Sequence, residues 1–149
     1  MKPNRFMLAL AALCFAEGGA SAQQTDGKSV APKTYKAYMV SDAHLDTQWN
    51  WDVQTTIREY IPRTLFQNLY LMERFPDYRF SFEGGVVYSW MKEYYPMHYE
   101  RMKKYIASGQ WHIAGASWDA NDPNMPSAES FFRNILLGQE FYKKEFGVR

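Results

Sequence analysis

Val40-Ser41-Asp42-Ala43-His44-Leu45-Asp46-Thr47-Gln48-Trp49-Asn50-Trp51 is the stretch where an apolar run gives way to crowded polar and aromatic side chains. It reads as the first strand of an α/β domain delivering a metal site. His44 offers an imidazole nitrogen and Asp46 a carboxylate oxygen, and a divalent ion such as Zn²⁺ accepts both. In extended backbone, residues two apart point to one face, so a His-x-Asp pair leaving a strand can close on one ion. The same pair also suits a loop Asp forming a turn with a hydrogen-bonded His, and the rest of the chain has to decide.

Working outward, residues 35–40 form a strand-like run leading into that stretch. Over residues 55–75, Ile57, Ile61, Leu65, Leu69 and Met72 recur at the spacing of one helix face. Pro62 cannot continue a helix without losing a hydrogen bond, which predicts a kink there or a fresh helix start. A second strand is expected at 78–82. A helical stretch follows at 86–106, broken at Pro96 and stopped by Gly109. A third strand is expected at 111–116. Ser127 then caps a last helix running to Phe146, with Glu129 in its first turn and Gly147 past its end.

Strand and helix alternate throughout. Connections of this length predict an α/β fold, a parallel sheet flanked by helices and wound right-handed. In such sheets function gathers at the carboxyl ends of the strands. His44 and Asp46 follow the first strand, Glu83 the second, and Trp118, Asp119 and Asp122 the third. All are therefore expected on one rim, which strengthens the metal reading of the opening pair.

Upstream, Lys2 and Arg5 precede an apolar run from Phe6 to Ala16, and Ala20-Ser21-Ala22 supplies an A-x-A cleavage site. Residues 1–22 thus read as a signal peptide, and the product as exported, periplasmic or secreted. The apolar run is too short to span a bilayer. Residues 23–34, with Gly27 and Pro32, read as a flexible leader. The single cysteine, Cys14, lies in the signal. His and carboxylate side chains are then the strong metal ligands left to the mature chain.

Removing residues 1–22 takes Lys2 and Arg5 from 17 basic residues and Glu17 from 16 acidic ones, leaving 15 of each. A balanced chain without a basic stripe argues against nucleic acid or an anionic membrane surface as partner. Aromatic residues make up 17% of the chain, many in polar surroundings. That suits sugar rings stacking on Trp and Tyr, and it suits an ordinary aromatic core equally.

The segment from Ser41 to Trp49 resembles the zinc-binding signature that opens the catalytic domain of glycoside hydrolase family 38, the retaining α-mannosidases. Further blocks of that family are matched in order by Phe82-Glu83-Gly84, by Glu93-Tyr94-Tyr95-Pro96 and by Ser108-Gly109-Gln110-Trp111. Asp122-Pro123-Asn124-Met125-Pro126-Ser127-Ala128-Glu129-Ser130, followed by Gly138, completes the set. The resemblance covers nearly all of residues 35–149. It implies a zinc-dependent enzyme of carbohydrate metabolism that hydrolyses terminal α-mannosides. His44, Asp46 and Asp122 would be zinc ligands, Asp122 also the nucleophile, and Trp49 the platform under the sugar. Retention would proceed through a covalent glycosyl-enzyme on one carboxylate, with a second carboxyl as acid and then base.

Other readings stand beside these. Asp119 competes with Asp122 for the nucleophile, and the Asn-x-Pro-Ser run favours Asp122 by motif register. Glu83 suits a partner behind the ligands or a helix-start residue. Trp49 and Trp51 also suit a core, His98 and His112 read as structural, and Arg133 as part of a solvated face. In the family the fourth zinc ligand, a histidine, and the acid/base carboxylate come from segments beyond Arg149. The chain is accordingly expected to be an N-terminal fragment, the first three βα units of an incomplete (β/α) barrel, inactive and weak in zinc uptake by itself. The rival functions are a metal-dependent carbohydrate deacetylase, using metal-bound water as nucleophile, and a secreted carbohydrate-binding module without catalysis.

Overall fold

The structure, a computed structural model, describes residues 34–148. The signal peptide expected at 1–22, and all of the expected leader but residue 34, lie outside the described residues. Within the unit Ala37–Arg149, β1 (Ser41–Ala43), β2 (Phe80–Phe82) and β3 (Trp111–Ile113) form one sheet in the order β1-β2-β3. Both pairs are parallel, with Ala43 opposite Phe82 and Phe82 opposite Ile113. The first crossover carries α1 (Val53–Thr55), a π-helical turn (Thr56–Tyr60) and α2 (Ile61–Arg74). The second carries α3 (Gly85–Tyr94) and α4 (Pro96–Ala107), and α5 (Ala128–Phe146) follows β3. This is the α/β alternation expected from the sequence. No helix among the described residues is long and apolar enough to cross a membrane.

The strands are shorter than expected, and the first is displaced. Residues 35–40, expected as strand, are in no regular element, and Tyr35, Tyr38 and Met39 are exposed. The strand begins at Ser41. A strand exists only where a neighbour accepts its ladder, and β2 offers partners to Ser41, Asp42 and Ala43 alone. The third strand likewise ends at Ile113, where β2 ends opposite it, instead of reaching residue 116.

The helix face predicted from spacing is the core. Ile57, Ile61, Leu65, Leu69 and Met72 are all buried, and they cluster with Phe80, Phe82 and Trp111 of the sheet. Phe80 and Phe82 share one face of β2 because they are two apart, and their rings stack at 5.8 Å with Trp111 edge-on to both. Tyr88 brings a hydroxyl into this layer, where it meets the indole N–H of Trp111. Its hydroxyl accepts from Trp111 Nε1 at 2.8 Å and donates to the Phe82 carbonyl at 2.9 Å, so no polar atom there is unpaired.

Proline and glycine set the helix limits. Pro62 sits in the first turn of α2, where no N–H is required, behind the π turn in which Ile61 N–H donates to Thr56 O. Pro96 opens α4, and Tyr95 before it is forced out of helical geometry, separating α3 from α4. Ser127 caps α5 by accepting from Ser130 N–H, and Gly147 ends it in the left-handed conformation at φ 72°. Arg133 pairs with Glu129 on a solvated face of α5, as expected.

Candidate active site

His44 follows β1 directly and Glu83 follows β2 directly. Because Ala43 is in register with Phe82, the next residues of the two strands are neighbours across the ladder. His44 Nδ1 lies 3.2 Å from Glu83 Oε1, and on the other side of the ring Nε2 lies 3.2 Å from Asp46 Oδ1. The imidazole is thus bracketed by two carboxylates at the carboxyl end of the sheet. The hydrogen bond to Glu83 is the main cause holding the His44 pKa above its ordinary value; burial opposes it, and Asp46 adds a smaller upward effect.

The loop after β1 is fastened to the helix it leads into. Thr56, fully buried at the start of the π turn, donates to the Thr47 carbonyl at 2.8 Å and accepts from Trp51 Nε1 at 2.7 Å. Trp51 also packs its ring on Tyr60 at 4.7 Å, so it is half-buried and serves as a staple for the loop. Trp49 projects outward with 70% of its surface exposed. Thr47 Oγ1 donates to Asp119 Oδ2 at 3.2 Å, joining the β1 loop to the β3 loop.

The loop after β3 is held by backbone groups. Gly84, before α3, has no side chain to cap it, and the Ser117 and Trp118 carbonyls accept from Gly85 N–H and Val86 N–H instead. From the other side Asn134 of α5 clamps the same loop. Its carbonyl accepts from Trp118 N–H, its side-chain oxygen from Asp119 N–H, and its Nδ2 donates to Asp119 O and Asn121 Oδ1. Gly138 allows this approach, because a Cβ there would meet the Ala116 carbonyl, the Ser117 carbonyl carbon and, at 2.6 Å, Trp118 N. Asp119 and Asp122 then line an open cleft of about 480 Å³ with Asn121, Met125, Phe131 and Asn134. Asp122 is exposed and bends its carboxylate back to Asn124 N–H at 2.9 Å.

The structure brings together His44, Asp46 and Glu83, and separately Thr47, Asp119 and Asn134. It does not gather His44, Asp46 and Asp122 around one point: among the described residues no group of three His, Cys, Asp or Glu side chains is arranged to hold a metal ion. The donor pair itself fits zinc. Two ligands of a tetrahedral ion with bonds of about 2.0–2.1 Å stand about 3.3 Å apart, and His44 Nε2 and Asp46 Oδ1 stand 3.2 Å apart. His98 packs on Phe66 and His112 is exposed within β3. Thr47 and Asn134 escaped the sequence reading. The Thr-x-x-x hydroxyl and mid-helix amide carry no local signal, because each acts on a loop distant in sequence.

The chain matches the model of the glycosyl hydrolases family 38 N-terminal domain over residues 34–149. It is 37% identical over 114 residues to α-mannosidase G of Dictyostelium discoideum, covering 76% of this chain and 10% of that protein. With human α-mannosidase 2C1 the identity is 32% over 148 residues, covering 98% of this chain and 13% of the relative. Among solved structures, an α-mannosidase from Enterococcus faecalis V583 superimposes with TM-score 0.62 at 28% identity, over 70% of this chain and 12% of that one. A family 38 glycosyl hydrolase protein from Enterococcus faecalis gives TM-score 0.63 at 25% identity over 75% and 13%.

Proposed function

This chain belongs to the glycosyl hydrolases family 38 N-terminal domain family, and from that premise we propose that it is the zinc-holding first segment of a retaining α-mannosidase acting on terminal α-mannosides of glycans. The observation that carries the reading is His44 Nε2 facing Asp46 Oδ1 at 3.2 Å on the carboxyl-end rim of a parallel sheet. His44, Asp46 and Asp122 would hold the zinc, which when bound supplies Lewis-acid polarisation and orients sugar hydroxyls.

Asp122 would be the nucleophile. Its exposure and its place on the cleft leave it open to a sugar, while Asp119 has both carboxylate oxygens engaged, by Thr47 and by Ala120 N–H. Its hydrogen bond from Asn124 N–H fixes one oxygen of the carboxylate and leaves the other free for attack. Trp49, exposed on the β1 loop, would stack against the sugar ring. The acid/base carboxyl would come from a segment other than residues 35–149. By itself the chain groups only two of the proposed ligands, and zinc would have to order the Asp122 loop as it binds, so uptake is weak. Lys2, Arg5, the apolar run after them and Ala20-Ser21-Ala22 support export to the periplasm or medium.

The test grafts residues 35–149 in place of the matching segment of the Enterococcus faecalis V583 α-mannosidase and follows hydrolysis of an aryl α-mannoside. Chelation is expected to stop turnover and zinc to restore it. Asp122→Asn should lower kcat by about 10³-fold or more, because binding cannot replace a nucleophile, and Asp119→Asn should retain most of it. Equal losses would move the nucleophile, and activity surviving chelation would remove the zinc.

A further inference from the structure

Resting on the zinc reading above, we infer that Glu83 is a positioning residue: its carboxylate takes the Nδ1–H of His44 and so holds the ring with the Nε2 lone pair turned to the Asp46 side. The chemistry of the pair requires a proton acceptor at Nδ1. Two donors that share one ion have no proton between them, so the imidazole must be neutral at Nε2 and carry its hydrogen on Nδ1. Among the described residues the acceptor at Nδ1 is Glu83, 3.2 Å away.

The fold fixes Glu83 for this role more firmly than a loop carboxylate could be fixed. It stands one residue past the Ala43–Phe82 register pair, so the ladder that aligns β1 with β2 also aligns His44 with Glu83. Next to it, Gly115 after β3 turns at φ 68°, and a Cβ there would be in ordinary contact with Glu83 Oε2, at 3.5 Å, so the two loops lie side by side. Asp46, two residues along the loop from His44, is set by no such ladder, and its Oδ1 faces His44 Nε2 at 3.2 Å.

The test uses the metal-free 149-residue chain first. With ¹⁵N-labelled histidine at about pH 9, well above the ordinary imidazole range, two-bond ¹H–¹⁵N spectra report which nitrogen of His44 bears the hydrogen. The parent chain and Glu83→Gln, whose amide oxygen still accepts, are expected to show mainly Nδ1–H. Glu83→Ala should shift His44 to Nε2–H, paired with Asp46. Zinc titration of the grafted α-mannosidase carrying the same three residues should then give affinity about 10–100-fold weaker in Glu83→Ala, with Glu83→Gln close to the parent. An unchanged Nδ1–H population in Glu83→Ala would overturn the inference. The tautomer switch in the chain, with no zinc uptake by the grafted enzyme, would keep the Glu83 role and overturn the zinc reading instead.

Discussion

Gly138→Ala tests how the loop after β3 is held, because two opposing effects fix the sign of the outcome. In an isolated helix the change is favourable by about 1 kcal/mol, since alanine is the better helix former. In this fold the new Cβ would fall within contact of the Ala116 carbonyl and the Ser117 carbonyl carbon, and 2.6 Å from Trp118 N. These are backbone atoms, and no side-chain rotation relieves them. Either α5 or the loop must retreat by nearly an ångström, straining the bonds from Trp118 N–H and Asp119 N–H to Asn134. Overpacking of this kind costs about 1–3 kcal/mol and each weakened hydrogen bond about 1 kcal/mol. After the helix gain is set against them, the net loss is about 3 kcal/mol. With a urea slope of about 2 kcal/mol/M, the unfolding midpoint should fall by about 1.5 M. Gly147→Ala is the control: nothing lies within 4 Å of its Cβ, so only the left-handed backbone costs, about 1 kcal/mol. A midpoint in Gly138→Ala equal to or above the parent would refute the close approach of α5 to the loop, and with it the account of how Asp119 and Asp122 are presented.

Two further outcomes follow from the core and from charge. Tyr88→Phe leaves the buried Trp111 Nε1 without its acceptor and takes one of two donors from the Phe82 carbonyl, which keeps Ala114 N–H, and should cost about 2 kcal/mol in a denaturant titration; an unchanged midpoint would mean that water or another group replaces the hydroxyl. Glu145, on α5, is held below its ordinary pKa chiefly by the hydrogen bond from Lys92, with burial opposing. A depressed carboxylate contributes stability above its unfolded pKa and loses it as pH falls through the folded value, so the effect lies at and below about pH 4.3. Lys92 is half in water, which limits the pair to about 1 kcal/mol or less. Urea midpoints at pH 6 and pH 3 should therefore converge slightly in Glu145→Gln, and an identical pH dependence in variant and parent would argue against the pairing.

What could be read from sequence was whatever local chemistry enforces. The spacing of Ile57, Ile61, Leu65, Leu69 and Met72 marked the buried face because one stripe of a helix must meet the core. Pro96, Ser127 and Gly147 marked helix limits because each has one backbone conformation or bond that suits it there. The rim was legible for the same reason: in a parallel sheet every strand ends on one side, so His44, Glu83 and Asp119 had to emerge together.

Pairing and contact were not legible. Residues 35–40 have strand composition, yet only a neighbour's ladder makes a strand, and β2 offers partners from Ser41 onward. His-x-Asp gave a donor pair, but that the other ring nitrogen meets Glu83 depends on a register between strands 39 residues apart. Asn134 and Gly138 look like ordinary helix positions until the β3 loop is laid against them. Sequence by itself determined the elements, their order and the side on which the chemistry emerges, since these follow from side-chain periodicity and the backbone limits of proline and glycine. Tertiary structure alone decided which carboxylate faces which nitrogen and which loop is clamped, because hydrogen bonds act over about 3 Å between groups that the chain keeps far apart in sequence.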